Sequence, residues 1–266
     1  MDMLEILGYF GALLIGLVLG LIGGGGSILT VPVMVYLMSV NPVTATAYSL
    51  FVVGSSSLVG AGRNLQKGLV GFKTAIIFAI PAVIAVFSTR KFLVPAIPDN
   101  ILTISGFTLT KDIGIMLFFA VLMLLASVSM IIDKEKMLSD SHINKPTNHI
   151  LLAFLGIFTG LITGLVGAGG GFIIIPILVL MAGLSMKKAV GTSLLIIAIN
   201  SLIGFLGDLG HLKIDWMFLL IFTGLSVIGI FLGVYLNKFI HGEKLKKGFG
   251  WFVLVMGIYI IWKELS

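Results

Sequence analysis

Two glycine clusters hold most of the chemistry this sequence offers. Gly23, Gly24, Gly25 and Gly26 precede Ser27, and Gly167, Ala168, Gly169, Gly170 and Gly171 precede Phe172. Glycine has no Cβ, adopts positive φ freely and lets another chain or a ligand approach the backbone. Such a run cannot hold a regular helix well, at about 1 kcal/mol per Gly relative to Ala. A helix restarting at Ser27 or Phe172 presents unpaired N–H groups and the positive end of its dipole, which suits an anion. Candidate substrate-binding residues are therefore Gly23, Gly24, Gly25, Gly26 and Ser27 in one cluster, and Gly167, Gly169, Gly170 and Gly171 in the other. The competing reading is that the glycines only let helices pack closely, as small residues do in membranes. Pro32 and Pro176 follow the clusters, where they either kink a short helix and free a carbonyl or are ordinary transmembrane prolines.

Neutral polar residues form a second constellation. Ser49 and Ser56 are seven residues apart, as are Ser193 and Asn200, so each pair shares a helix face. Their hydroxyls and amide can complete a donor-rich anion site; interhelical hydrogen bonding, worth ~0.6 kcal/mol, is the plainer role. Charged candidates for gating or anion attraction sit near span ends. Arg63 can fork onto an oxyanion in an inner vestibule or be a solvated interfacial residue. Asp208 and His211, at the outer end of their span, either form a proton-sensitive gate or mark the water boundary.

The elements that must position these residues follow from composition. Of 266 residues 58% are hydrophobic and 11% charged, with 34 glycines and no cysteine. The mean hydropathy is +1.18, whereas about a quarter of residues are charged in soluble domains. Residues 6–62, 74–89, 113–132, 146–186, 189–207, 216–237 and 248–262 carry no Asp, Glu, Lys or Arg. A span needs about 20 apolar residues, so the chain reads as a polytopic membrane protein. The hydrophilic stretch 133–149 is too short for a soluble catalytic domain, and the missing cysteine excludes thiol nucleophiles and thiolate metal sites. No metal or cofactor motif and no Walker-type GxxxxGK[ST] occurs, so no cofactor is expected. No carboxylate falls inside an expected span, which leaves a membrane proton relay without an obvious carrier. The net charge of +6 reflects lysines of cytoplasmic loops rather than a nucleic-acid surface.

The chain is a duplication. Offset by 144 residues, Gly16–Leu65 matches the later segment without a gap at 16 of 50 positions, with Pro32 over Pro176. Each copy reads as an apolar run (about 4–22 and 150–166), the glycine cluster, a short apolar segment (about 27–39 and 172–183) and three ordinary spans. Pro98–Thr110 is expected to be an interfacial loop or helix. If each glycine-broken segment made one net crossing, Lys and Arg would divide 8 against 9 between the two sides. If it turns back as a hairpin they divide 12 against 5, as the positive-inside rule asks. The hairpin puts both termini outside the cytoplasm and gives each repeat three net crossings, so the repeats are expected to be inverted. The expected fold is an all-α integral membrane protein of eight main transmembrane helices, two short glycine-broken hairpin helices and two inverted repeats. Residues 1–133 form the first repeat, 134–148 a cytoplasmic linker and 149–266 the second.

The repeated G-L-x-G-x-G-G-G-x-x-x-x-P pattern, with Gly-His-Leu-Lys-Ile-Asp-Trp at Gly210–Trp216, resembles the TauE/SafE sulfite exporter family across essentially the whole chain. The first repeat carries Gly71 where the second has Asp215, so a role for that Asp is not shared by both halves. The resemblance implies export of small sulfur-containing anions such as sulfite or organosulfonates. The expected function is therefore a secondary transporter working by alternating access in the cell membrane, with no enzymatic centre. An anion channel or an importer of the same architecture is the alternative. The expected partners are a small anionic substrate, the lipid bilayer and a second copy in a homodimer, with no nucleic acid.

Overall fold

A computed structural model describes residues 3–104, 107–131, 148–236 and 242–266. The chain begins with helix α1 (Met3–Ile22), a 3-10 segment (Gly25–Leu29) and the short α2 (Thr30–Tyr36). Helices α3 (Pro42–Gln66) and α4 (Phe72–Ser88) follow, α4 running through a π-helical turn (Thr89–Leu93) into α5 (Val94–Ala96). Strands β1 (Asn100–Ile104) and β2 (Phe107–Thr110) lead to α6 (Lys111–Ile131). The second half holds α7 (His149–Val166), the short α8 (Gly171–Leu180), α9 (Met186–Leu206), α10 (Trp216–Leu236) and α11 (Gly242–Leu265). Among the described residues eight helices are long and apolar enough to cross a membrane, and Gly26–Tyr36 and Gly171–Leu180 are shorter apolar helices. The all-α membrane architecture expected from composition is the one observed. Apolar side chains point outward, as the solvent demands: Ile76, Ile80 and Ile84 line one face of α4 at 55–63% exposure. Except for Asn148, the expected linker 134–148 lies outside the described residues.

Pro98–Thr110 differs from expectation. It contains a two-stranded antiparallel hairpin pairing Leu102 with Leu109 and Thr103 with Thr108. The alternating Ile, Leu, Thr and Phe residues on either side of Ser105-Gly106 favour paired strands over a helix.

Both glycine-broken segments double back. A Cβ on Gly26 would lie 2.6 Å from the Leu19 nitrogen, while Gly11 faces Val33 and Gly8 faces Met38. The 3-10 segment and α2 therefore run down α1 toward its start. In the second half Gly170 sits against Thr163 and Thr159, the counterparts of Leu19 and Ile15 at the 144-residue offset.

Contacts between the halves recur with the halves exchanged. Helix α1 packs on α10 and α7 on α4, while α3 pairs with α9 and α6 with α11. Gly16 meets the Ser226 carbonyl and Gly160 the Ala82 carbonyl; Gly60 meets Leu194 and Gly204 meets Leu50. Each pair maps onto the other at the same offset. At Gly16 and Gly160 the facing backbone leaves no room for a side chain, whereas Gly60 and Gly204 meet the ends of leucine side chains.

Polar contacts group the loops at two ends. At one end, Asn41 Nδ2 donates to Asp112 Oδ2 at 2.7 Å, the Asp215 amide to Tyr48 Oη at 2.6 Å and Tyr36 Oη to Glu264 Oε1 at 2.7 Å. At the other, the Gly71 amide donates to Thr192 Oγ1 at 2.9 Å.

Candidate functional site

The second break is built from left-handed residues. Gly167 caps α7 with φ 72°, its N–H donating to the Thr163 carbonyl, and Gly169 and Gly170 follow with φ of 66° and 71°. Any side chain there would strain the backbone. At the first break Gly23 has φ 81°, and the Ser27 hydroxyl folds back onto the Gly24 carbonyl at 2.8 Å. Ser27 therefore spends its hydroxyl within its own loop.

The two breaks touch. A Cβ on Gly171 would lie 2.6 Å from the Gly24 Cα, and one on Gly24 would lie 3.0 Å from the Gly171 Cα. Bare backbone meets bare backbone, between α3 and α9. Gly23 abuts Val190, and Gly167 abuts Thr46, its exchanged counterpart. Gly169 faces Val53, Ile197 and the Ser201 hydroxyl.

The neutral candidates divide in two. Ser193 Oγ is used, donating toward the Val190 carbonyl at 2.9 Å and the Gly23 carbonyl at 3.3 Å. Ser56 Oγ bonds Ser226 Oγ at 2.9 Å and so ties α3 to α10. Ser49 and Asn200 are fully buried, and neither the Ser49 hydroxyl nor either amide atom of Asn200 has a partner among the described residues. The same holds for the Ser57, Ser201 and Thr163 hydroxyls. Buried polar atoms are nearly always satisfied, so this row of empty donors and acceptors calls for water or ligand.

The charged candidates land differently from one another. Arg63 is exposed, its guanidinium 4.7 Å over the Phe231 ring. His211 is exposed on the loop after α9. Asp208 does not mark the water boundary: it is 3% exposed and its Oδ2 accepts from Arg90 Nε at 2.7 Å. Burial pushes its carboxyl above the ordinary carboxylate range, against the pull of Arg90 and His211. The bundle therefore does hold a buried carboxylate, beyond the end of α9, where hydropathy alone puts water.

Arg90 is the residue sequence reasoning missed. It is fully buried in the π-helical turn after α4, and its Nη1 donates to Thr46 Oγ1 at 3.0 Å and to the Gly164 carbonyl at 3.2 Å. Those partners flank the second break, since Thr46 abuts Gly167 and Gly164 lies in the last turn of α7. π-helical turns inside α-helices occur often at functional sites. The available signal was that Arg90 is one of two arginines and has Val234 as its repeat counterpart. Two surface grooves, one lined by Ile258, Trp262 and Leu265 and the other by Thr89, Phe92 and Leu161, lie away from the meeting of the breaks.

Among the described residues, eight helices long and apolar enough to span and two shorter apolar ones define a multi-pass helical membrane protein. The chain matches the family "Sulfite exporter TauE/SafE" over residues 9–260 and belongs to that family, which places it among membrane transporters. It is similar to a probable membrane transporter protein of Xylella fastidiosa (strain 9a5c), 29% identical and covering 94% of this chain and 92% of that one. It is also similar to the probable membrane transporter protein YdhB of Bacillus subtilis (strain 168), 28% identical over 84% and 85% of the two chains. A probable membrane transporter protein of Haemophilus influenzae is 24% identical over 94% and 95%. No solved structure matches the chain.

Proposed function

We propose that the protein is a secondary transporter that exports a small sulfur-containing anion (sulfite, sulfoacetate or another organosulfonate) across the cell membrane by alternating access. Backbone N–H groups around Gly23–Ser27 and Gly167–Phe172, other than those of Gly23 and Gly167, which donate to the Leu19 and Thr163 carbonyls, hold the anion's oxygens, and Ser49 and Asn200 add neutral donors. One observation carries this reading: two broken segments meet through Gly24 and Gly171, and the neighbouring Gly170 and Gly169 face the buried Thr163 and Ser201 hydroxyls, which have no partner among the described residues. Irregular backbone in a membrane is tolerated only where protein covers it or it lines a wet cavity. The exchanged contacts support inverted repeats, and the grouping of loops at two ends, taken with the 12-against-5 division of Lys and Arg, supports termini on the non-cytoplasmic side.

Uptake of sulfite, sulfoacetate and thiosulfate into proteoliposomes tests this. A carrier gives saturable uptake that is stimulated by the same anion on the far side. Saturation without trans-stimulation would indicate a channel, and transport of none of the three would defeat the substrate class.

A further inference from the structure

The Arg90–Asp208 pair is built in a way that a purely structural ion pair does not require. A guanidinium offers five N–H donors. Arg90 places Nε on Asp208 Oδ2 and Nη1 on Thr46 and Gly164, while Nη2 has no partner among the described residues although the residue is fully buried. Nε and Nη2 form the edge that grips an oxyanion side-on. Asp208 occupies one prong of that fork and leaves the other free. The head of the side chain rests on Thr46 and Gly164, three residues before Ser49 and Gly167 respectively, so the free prong belongs to the surroundings of the second break.

The feature exists once. At the 144-residue offset Arg90, Asp208, Thr46 and Gly164 become Val234, Asn64, Val190 and Gly20. The packing is repeated there: a Cβ on Gly20 would lie 3.0 Å from the Gly233 Cα where one on Gly164 would lie 2.6 Å from the Thr89 Cβ, and one on Gly23 would meet Val190 as one on Gly167 would meet Thr46. The charge is not repeated.

We propose that Arg90 is the charged contact for the transported anion and that Asp208 is its resident counter-ion, taking up one proton when the anion binds. The inference rests on the anion-carrier reading above. Charge balance gives the proton its place. The buried pair is neutral, and adding a monoanion would leave one uncompensated negative charge in a low-dielectric interior, which is strongly disfavoured. In the bound state Arg90 pairs with the anion, and Asp208 holds as a carboxylic acid the proton it has taken from solvent. Release of the anion returns the proton. The titratable groups facing Asp208 are Arg90 and the exposed His211; the Lys91 ammonium turns away over Phe87 and Phe92. The arrangement therefore couples anion and proton one to one with no carboxylate inside a spanning helix.

Calorimetric titration of the purified protein with methanesulfonate and with hydrogensulfite (at a pH well below the second ionisation of sulfurous acid, so that both probes are monoanions), in two buffers of different ionisation enthalpy, counts the protons taken up. The wild type should take up about one proton per anion. Arg90→Lys should weaken binding at least tenfold, and Asp208→Asn should bind without proton uptake. Since Asp208→Asn strands a buried cation, the double variant Arg90→Gln/Asp208→Asn removes both charges together. It should melt near the wild type and bind neither anion. If it binds both with an unchanged proton count, Arg90 and Asp208 are a structural pair only and the inference fails while the anion reading stands. If the wild type itself binds neither anion, the anion reading fails and takes the inference with it.

Discussion

At the second glycine break the Arg90 guanidinium reaches Thr46 and the Gly164 carbonyl and is held by Asp208. At the first break Val234, Val190, Gly20 and Asn64 stand in the corresponding places. Val234 and Val190 pack on Gly20 and Gly23, and the Asn64 amide folds onto the Gly60 carbonyl at 2.8 Å. Helix approach demands small residues at fixed positions, so the packing of a duplicated unit persists in both copies. No such demand applies to charge. A buried cation is tolerated where a counter-ion and hydrogen bonds meet it, and that was assembled at one break only, from Arg90 of the first half and Asp208 of the second.

The comparison breaks most visibly at Asp208. Asp208→Asn removes the counter-ion of a buried arginine, and removing one partner of a buried pair costs about 3–5 kcal/mol. Asn64→Ala, its counterpart, loses one hydrogen bond worth about 0.5–1.5 kcal/mol. Thermal unfolding of both variants should show a severalfold larger drop for the former; equal drops would mean that the pair is not buried as a unit.

Next in size are the breaks themselves. Gly171→Ala forces a methyl to 2.6 Å from the Gly24 Cα, where backbone cannot give way easily, and overpacking of this kind costs about 1–3 kcal/mol. Gly62→Ala, in α3 with open space around it, should be neutral or gain up to about 1 kcal/mol from helix propensity. Transport should fall with Gly171→Ala and persist with Gly62→Ala in the same vesicles.

Smaller still is the division among the polar candidates. Ser193→Ala loses bonds that the fold uses and should cost about 0.5–1.5 kcal/mol. Ser49→Ala removes a hydroxyl that has no partner among the described residues, so it should leave the melting temperature almost unchanged and show itself in anion affinity. The smallest effect belongs to Arg63→Gln. Its exposed stacking over Phe231 is worth about 0.5–1 kcal/mol, and transport should change little; a large loss would restore Arg63 as an anion contact.

Much of the fold was legible because hydropathy and repetition are local properties of the chain. Charge-free runs located the spans, and the gapless offset aligned Pro32 with Pro176 and the two glycine clusters. The 12-against-5 division singled out the doubling back that Gly26 on Leu19 and Gly170 on Thr163 now display. The hairpin at Asn100–Thr110 was misread because its alternation is short and lies beside an apolar span. At the site, the glycines and Ser49 stood out by type and spacing. Arg90 did not, because a cation at the end of an apolar run looks interfacial until the fold shows what covers it. Its partner Asp208 is 118 residues away, and no local pattern joins them.

Trans-stimulated sulfite uptake by Ser49→Ala/Asn200→Ala proteoliposomes tests whether the anion sits where the two breaks meet. The double variant should fold as the wild type does and lose saturable uptake. Uptake equal to that of the wild type, with the same half-saturation, would contradict that placement.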